Sequence, residues 1–466
     1  MNKKNNKINN NKDYVKRDIW RNLFHIQPPT GLLNDPNGLI YHNGVYHVFY
    51  QWHPHEPKHG LKYWNHVTST DLIHWIPDNR ILSPDTQYDK NGAYSGSAIE
   101  IDDQIHLFYT GNQRDDDNHR NSYQMHAIVG EHRITEKKVL IDSVPTGYTD
   151  HFRDPKVFKK GSQYYMIIGA QRENLSGTAL MYTSNNPMSW SFVGEIKTRY
   201  NDFGYMWECP DLFSIDGSDV LLFCPQGAFN SPKNMFNIYP NVYCIGQYNF
   251  KTNEFVDDIE PHLIDHGFDF YAAQTFLDEE EERVLFAWVG SAVDNYPSDK
   301  HGWAHVLSLP RRLHVQEGFL YQTPHPNLHK LRKCPSELSK LLKIYELYID
   351  KINGDFKIEL YHNDNGESLV LHYNETSKML TLDRSNFNNR FAIEFGEIRT
   401  LNIEEGLKNI HVFRDTSTIE IFINSGKFTM TSRFFPQETE GSVVIHTPTK
   451  DLEITYYELE DINHDL

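Results

Sequence analysis

The amino-acid sequence predicts an all-β protein, in which a five-bladed β-propeller is followed by a C-terminal β-sandwich. Three observations predict this fold. Helical periodicity is nearly absent up to about residue 325, where short aromatic or β-branched runs alternate with turn-forming residues. A strand–turn–strand segment recurs five times in this part of the chain. After residue 344, apolar and polar residues alternate regularly between hairpin turns.

The N-terminal segment, residues 1–19, is rich in Lys and Asn, and we expect it to be a flexible tail. It lacks the apolar run of a signal peptide, and no part of the chain approaches the length of about 18 apolar residues that a membrane helix needs. None of the four cysteines belongs to a CxxC motif, so we expect free thiols in a reducing compartment. These features together predict a cytoplasmic protein.

Residues 20–325 contain the repeat that predicts the propeller. Its copies begin at residues 34, 95, 153, 208 and 271, and each consists of a polar cluster, a short apolar strand, a turn and an aromatic-rich strand. Four-stranded units that open with a hairpin and recur at this spacing are typical of propeller blades. Two units also carry a turn followed by a tryptophan, Trp75 and Trp190, which we expect to pack between blades.

The rest of the chain is predicted to hold a linker and a second domain. Residues 326–343 are basic and also fit a short helix, which indicates a connector. Residues 344–466 contain about nine alternating strands, each with one buried face, and this pattern is typical of a β-sandwich. No acidic cluster like those of the propeller occurs here, so we expect a structural role, with carbohydrate binding as the alternative.

The composition restricts the partners of the protein. The chain has 63 acidic and 45 basic residues, a net charge of −18, which opposes binding to nucleic acid or to an anionic membrane. Hydrophobic residues make up 39% and aromatic residues 13%, so the chain is not intrinsically disordered. We therefore expect a small-molecule substrate as the partner, and leave homo-oligomerisation open.

Acidic residues head the first strand of three repeats: Asp35 in NDPNG, Asp154 in FRDPK and Glu208 in ECPD. Asp-Pro and Asn-Gly also form turns, and an isolated NDPNG is more often a loop than a catalytic site. Turn chemistry does not require the same position in three repeats, however. Because the first strands of a propeller line its central channel, we expect the three carboxylates to surround one pocket, together with further strand-head residues: Tyr94, Ser95 and Tyr271.

These motifs resemble those of glycoside hydrolase family 32, which includes invertases and fructanases. The resemblance covers residues 20–460 and implies a retaining β-fructofuranosidase with a five-bladed propeller joined to a β-sandwich. The second domain is also similar to the family's C-terminal sandwich, in its segments TIEIFIN and TSRFFP. The motifs of the propeller occur in the family's order: NDPNG at 34–38, FRDPK at 152–156, ECPD at 208–211 and DFYAAQTF at 269–276.

The resemblance implies a role for each acidic residue: Asp35 is the nucleophile, Glu208 the general acid/base and Asp154 the transition-state stabiliser. Cleavage with retention needs one carboxylate to attack and one carboxylic acid to protonate the leaving oxygen, about 5–5.5 Å apart. Apolar neighbours such as Trp207 predict a raised pKa for Glu208. Amide donors around Asp35, and the Arg153 charge beside Asp154, predict that these two carboxyls stay ionised.

The resemblance also implies a sugar pocket built from amide, hydroxyl, charged and aromatic side chains. For any single aromatic residue, packing between blades is the alternative interpretation. The pocket residues that the resemblance implies are Asn34, Gln51, Tyr94, Ser95, Arg153, Asp269, Tyr271 and Trp288.

Histidines are frequent between residues 53 and 66, at His53, His55, His59 and His66. No HExxH motif occurs and acidic partners are poorly spaced, so contact with sugar or phosphate is the preferred interpretation. We expect neither a metal nor a cofactor.

The segment PKHGLKYWNH, residues 57–66, departs from many secreted family members, which have Trp where this chain has His59. The run from His59 to Lys62 resembles the form found in intracellular members that hydrolyse sucrose 6-phosphate. This implies that His59 and Lys62 contact the phosphate. The alternative is that both side chains belong to a solvated loop.

The main expectation is therefore a hydrolase of sucrose 6-phosphate, with sucrose as a poorer substrate. A fructanase or levanase and a plain intracellular invertase are the neighbouring alternatives. A catalytically silent, fructoside-binding propeller is disfavoured because all three carboxylates are present. A sialidase-like hydrolase would use a Tyr nucleophile and several arginines around a carboxylate, and such arginine clusters are not seen at the strand heads.

Overall fold

The computed structural model describes residues 13–228, 237, 239–257, 260–293, 295–446 and 451–463. Strands dominate this part of the chain and form seven sheets, five in a β-propeller and two in a C-terminal β-sandwich. The predicted fold class is confirmed. Short 3₁₀ helices lie at Pro297–His301, Pro326–Leu331 and Ile393–Phe395.

Each blade consists of four main antiparallel strands. They are Gly31–His42, Val45–His53, Tyr63–Ser69 and Ile76–Leu82 in blade 1; Ala93–Ile101, Gln104–Arg114, Arg120–Val129 and Ile134–Ile141 in blade 2; Tyr148–Lys160, Gln163–Arg172, Gly177–Asn186 and Ser189–Glu195 in blade 3; Met206–Ile215, Ser218–Gln226, Val242–Asn249 and Glu254–Val256 in blade 4; and Tyr271–Leu277, Arg283–Val289, Arg311–Gln316 and Phe319–Pro324 in blade 5. Short strands His262–Leu263 and Val306–Leu307 extend blades 4 and 5. Strand Trp303–Ala304 pairs in parallel with the first strand of blade 1 and so connects the last blade to the first.

Aromatic side chains pack the blades against each other. Trp75 of blade 1 meets Phe286 of blade 5 edge to face, with ring centroids 6.0 Å apart. Trp190 of blade 3 meets Phe108 of blade 2 in the same way at 6.1 Å. Edge-to-face pairs at this distance stabilise an interface beyond the apolar area they bury. Both tryptophans therefore have the packing role that the repeat predicts.

A β-bulge interrupts the first strand of every blade at the equivalent place. The bulges of blades 1 and 2 contain Asp35 and Ser95. Those of blades 3, 4 and 5 contain Asp154, Cys209 and Ala272, whose φ angles are 68°, 48° and 52°. A non-glycine residue adopts such a conformation at a cost of about 1–3 kcal/mol and only where its surroundings impose it. A bulge changes the direction in which nearby side chains point. The five bulges therefore direct side chains at the strand heads into the mouth of the channel.

The sandwich packs a six-stranded sheet against a five-stranded sheet around an aliphatic core that includes Leu347, Ile358 and Leu371. The six-stranded sheet consists of Arg332–Pro335, Tyr345–Asp350, Ile410–Arg414, Thr418–Ile423, Phe428–Arg433 and Glu453–Leu459. The five-stranded sheet consists of Phe356–His362, Ser368–Asn374, Met379–Asn386, Ile398–Asn402 and Ser442–Ile445. Strand Arg332–Pro335 falls within the expected linker 326–343 and pairs with Glu453–Leu459, so part of that segment belongs to the sandwich sheet.

Residues 13–19, which precede the propeller, include side chains that contact it. Val15 is buried in a cluster with Trp20 and Trp303, and the Trp303 indole N–H donates to Asp18 Oδ2 at 2.6 Å. Residues 13–19 are thus not a free tail, because an apolar side chain and a carboxylate anchor them to the propeller. The remaining residues of the predicted tail, 1–12, lie outside the described residues.

A buried ionic network joins the two domains. His25 of the propeller contacts Asp415 at 2.7 Å and Glu420 at 3.1 Å, both of which belong to the sandwich. Arg311 contacts Glu420 at 2.6 Å and Asp265 at 3.2 Å. These side chains are fully or almost fully buried. The network therefore links the sandwich to the propeller through buried charged contacts.

None of the four cysteines forms a disulfide: Cys209, Cys224 and Cys244 are buried, and Cys334 is exposed. None of the helices in the described part of the chain has both the length and the apolar character that a membrane span requires.

Candidate active site

A cavity of about 370 Å³ opens where the bulges of the first strands converge. Residues from all five blades line it. They are Asn34, Asp35, Gln51, His59, Gly60, Lys62, Tyr94, Arg120, His151, Arg153, Asp154, Tyr205, Glu208, Gln226, Tyr239, Tyr271, Trp288 and Ala292. The three carboxylates singled out by the repeat thus face one cavity, although they are 54 to 173 residues apart in sequence.

Asp35 is held by neutral hydrogen-bond donors. Its Oδ2 accepts from the Ser95 hydroxyl, and its Oδ1 accepts from Asn34 Nδ2 at 3.1 Å. Gln51 Nε2 donates to Ser95 Oγ at 2.7 Å, which directs the Ser95 proton toward Asp35. Burial and the charge of Glu208 raise the pKa of Asp35, although both donors lower it. The donors expected from the sequence are present, but desolvation outweighs them.

Lys62 is buried next to Asn34 and does not lie on a solvated loop. Its side chain is buried, and Nζ donates to Asn34 Oδ1 at 2.6 Å. Burial lowers the pKa of Lys62 to about 7, against the attraction of Asp35. Lys62 therefore orients the amide that holds Asp35. His59 is exposed at the cavity, with its ring edge-to-face against Trp288 at 6.0 Å.

The carboxylate of Asp154 contacts the backbone N–H and the thiol of Cys209. The Cys209 backbone N–H donates to Asp154 Oδ2 at 3.0 Å, and Sγ lies 3.8 Å from this oxygen and 3.9 Å from Asp35 Oδ2. Burial, together with the charges of Glu208 and Asp35, raises the pKa of Asp154 to about 7, although Arg153 opposes this. The expectation that Arg153 keeps Asp154 well ionised is therefore wrong, because Arg153 Nε is 4.0 Å from Asp154 and bonds Glu208 instead.

Glu208 is held by charged and polar partners. Its Oε1 accepts from Arg153 Nε at 3.0 Å and Nη2 at 2.6 Å, and its Oε2 accepts from the Tyr271 hydroxyl at 2.6 Å. The expected apolar setting is wrong. Trp207 stacks on Phe223, away from Glu208, since successive side chains of a strand point to opposite faces.

Two residues of the expected sugar pocket do not line the cavity. Ser95 is fully buried behind Asp35 and acts on it by its hydrogen bond. Asp269 lies at the boundary with the sandwich, where Oδ2 accepts from Arg384 Nη1 at 2.9 Å and from the Arg433 backbone N–H at 2.8 Å. The expected sugar contact of Asp269 is therefore wrong. Asp269 precedes the first strand of blade 5, and its carboxylate accepts hydrogen bonds from the second domain.

Seven residues that line the cavity were not among the predicted site residues: Gly60, Arg120, His151, Tyr205, Gln226, Tyr239 and Ala292. Arg120 begins the third strand of blade 2, and Gln226 ends the second strand of blade 4. Neither position is a strand head of the repeat. No motif in the sequence marks such positions, because only the closure of the propeller brings strand ends of different blades together.

Carboxyl groups that face one cavity, with arginine and hydroxyl partners, are the arrangement that glycoside hydrolases use. Residues 25–324 match the family model for the glycosyl hydrolases family 32 N-terminal domain, and residues 335–458 match the model for the family 32 C-terminal domain. The chain belongs to glycoside hydrolase family 32, as its motifs indicated.

Similar proteins cover nearly the whole chain. The sucrose-6-phosphate hydrolase of Staphylococcus xylosus is 41% identical over 96% of this chain and 94% of its own length. That of Vibrio alginolyticus is 44% identical over 88% and 86%. Among solved structures, sucrose-6-phosphate hydrolase from Lactobacillus gasseri has a TM-score of 0.93 and 35% identity, covering 98% of this chain and 96% of that one. The β-fructofuranosidase of Bombyx mori has a TM-score of 0.86 and 27% identity, covering 98% and 97%.

Proposed function

We propose that this protein is a retaining β-fructofuranosidase that hydrolyses sucrose 6-phosphate to glucose 6-phosphate and fructose, and hydrolyses sucrose more slowly. One observation carries the chemistry. Asp35 and Glu208 face the same cavity but are held differently, the first by a hydroxyl and an amide and the second by a guanidinium and a phenol. Two carboxyl groups in different environments suit two different roles in glycoside cleavage.

In the first step, Asp35 attacks the anomeric carbon of the fructosyl group. Glu208 donates its proton to the glycosidic oxygen, the bond between this oxygen and the anomeric carbon breaks, and glucose 6-phosphate leaves. The product is a covalent fructosyl ester of Asp35. Ser95 and Asn34 support this role of Asp35, because donors to both carboxylate oxygens fix the direction in which the nucleophile points.

In the second step, Glu208 takes a proton from water, which attacks the anomeric carbon and releases fructose and the Asp35 carboxylate. Tyr271 and Arg153 would hold Glu208 in one orientation for both proton transfers. Neither step uses a metal or a cofactor. If methanol competes with water, the expected product is methyl β-fructofuranoside, and the opposite anomer would contradict the double displacement.

Asp154 is proposed to accept hydrogen bonds from fructosyl hydroxyls and to oppose the positive charge of the oxocarbenium-like transition state. Its contact with the Cys209 N–H fixes one oxygen and leaves the other for substrate. Hydroxyl donors from a bound sugar would favour the ionised form of a carboxyl whose pKa is about 7. Asp154 is therefore best suited to act once substrate is bound.

The substrate is tested by measuring kcat/KM on sucrose 6-phosphate, sucrose, raffinose and inulin with one purified preparation. The proposal expects the highest value on sucrose 6-phosphate. The highest kcat/KM on inulin would identify a fructanase. Equal kcat/KM on sucrose 6-phosphate and sucrose would identify a plain invertase. We further propose that the enzyme acts in the cytoplasm, where the four cysteines, none of which forms a disulfide, would stay reduced.

A further inference from the structure

We infer that Arg120, together with His151, binds the phosphate group of the substrate at the mouth of the cavity. Both side chains are half-buried and line the cavity. This role requires a phosphorylated substrate, so the inference rests on the proposed function and deepens it. In this inference Arg120, and not Lys62 as the sequence suggested, is the cation that binds the phosphate.

The arginine and lysine residues that line the cavity are Lys62, Arg120 and Arg153. Lys62 is buried against Asn34, and Arg153 forms a two-pronged contact with Glu208. For Arg120, the ion pairs found among the described residues include no carboxylate partner, and Nη1 lies 3.5 Å from His151 Nδ1. A guanidinium without an acidic partner, at the rim of a pocket in a chain of net charge −18, is suited to an anionic group of the substrate.

Arg120 also lies on the correct side of the cavity. His151 Nδ1 accepts from Arg153 Nη1 at 3.0 Å, and Arg153 Nη2 donates to Glu208 Oε1 at 2.6 Å. The row from Arg120 through His151 and Arg153 therefore leads to the proposed acid. The acid must meet the glycosidic oxygen, so the glucose part of the substrate lies beside it. Lys62 instead donates to Asn34, which donates to the proposed nucleophile Asp35, so we assign Lys62 to the fructosyl side.

His151 supplies a second donor rather than a second charge. Its Nδ1 faces two guanidinium groups, which can only donate, so the ring proton belongs on Nε2. Burial and the charges of Arg153 and Arg120 lower the pKa of His151 to about 4, so the ring is neutral near pH 7. A permanent guanidinium charge with a neutral N–H donor beside it suits the oxygens of a phosphate monoester.

Screening explains why local charge can prevail over net charge. At 0.15 M ionic strength the Debye length is about 8 Å, so distant carboxylates act weakly on a phosphate in contact with Arg120. The carboxyl group of Glu208 is paired with Arg153 at 2.6 Å. The preference for the phosphorylated substrate should accordingly weaken as salt concentration rises.

The test compares Arg120→Gln with a matched control, Arg114→Gln. Arg114 is the residue directly opposite Arg120 across the hairpin, and it does not line the cavity. The measured quantity is the ratio of kcat/KM for sucrose 6-phosphate to kcat/KM for sucrose. Loss of a charge-assisted contact lowers this ratio about ten- to a hundredfold in Arg120→Gln. Arg120→Lys should retain part of the ratio, and Arg114→Gln should change it less than about threefold.

Inhibition by glucose 6-phosphate gives a second readout, which Arg120→Gln should weaken by a similar factor. If Arg120→Gln lowers kcat/KM equally for sucrose 6-phosphate and sucrose, Arg120 acts only by positioning Arg153 and Glu208, and the inference is wrong. If the ratio falls in His59→Ala but not in Arg120→Gln, the phosphate is bound beside His59 and the inference is wrong. A wild-type ratio near one would refute the proposed substrate itself, whereas a high ratio that survives in Arg120→Gln refutes only the inference.

Discussion

Lys62→Met should impair the hydrolysis of phosphorylated and unphosphorylated sucrose alike. Lys62 Nζ donates to Asn34 Oδ1 at 2.6 Å, and Asn34 in turn donates to Asp35 Oδ1 at 3.1 Å. Met has a similar length but no donor. The change therefore removes a charge-assisted hydrogen bond next to the proposed nucleophile and leaves the rest of the pocket in place.

The magnitude follows from that contact. A hydrogen bond to a charged group contributes about 1.5–3 kcal/mol, which corresponds to a roughly ten- to a hundredfold loss of kcat/KM on both substrates. Stability should fall little, because removing a buried ammonium also removes the cost of its desolvation. Initial rates on sucrose 6-phosphate and sucrose, with thermal unfolding as a check on folding, measure these effects.

The pH dependence gives an independent readout of the same residue. Burial lowers the pKa of Lys62 to about 7, so the ammonium loses its proton as pH rises through neutrality. Wild-type kcat/KM should then decline on the alkaline side of about pH 7, and this decline should be smaller in Lys62→Met, which keeps the general acid Glu208 but lacks the ammonium. If Lys62→Met lowers kcat/KM only for sucrose 6-phosphate, this reasoning is wrong and Lys62 contacts the phosphate instead.

Three further outcomes are expected. Asp35→Asn should keep the thermal unfolding temperature but remove nearly all turnover, because an amide cannot form the fructosyl ester; near-normal rates would exclude Asp35 as the nucleophile. Glu208→Gln should slow substrates with poor leaving groups most, and an equal loss across leaving groups would indicate another role. Burial alone would lower the pKa of His25, but its hydrogen bonds to Asp415 and Glu420 raise it, so protonation stabilises the fold at low pH and this contribution disappears as pH rises through the raised pKa. His25→Gln should therefore destabilise the protein by about 3–5 kcal/mol at pH 6 and by less at pH 9 in unfolding experiments, and a penalty independent of pH would mean that His25 is not charged in the network.

The sequence by itself determined the fold class, the five blades and the positions from which the acidic side chains enter the site. This was possible because each blade is built from local hairpins, and a local hairpin leaves its pattern of apolar runs and turns in the sequence. The same repeat marked Trp75 and Trp190 as packing residues. It also placed Asp35, Asp154 and Glu208 at equivalent strand heads, although a repeat does not by itself assign their roles.

Only the tertiary structure decided how these side chains are surrounded. Trp207 adjoins Glu208 in sequence but packs on the other face of its strand, whereas Arg153, 55 residues earlier, holds the carboxylate. Asp269 is taken up by the second domain, and Arg120 reaches the cavity from a strand end that no motif marks. The physical reason is that charge state and hydrogen bonding depend on burial and on contacts between distant segments. Closure of the propeller and docking of the sandwich create those contacts, and no local pattern records them.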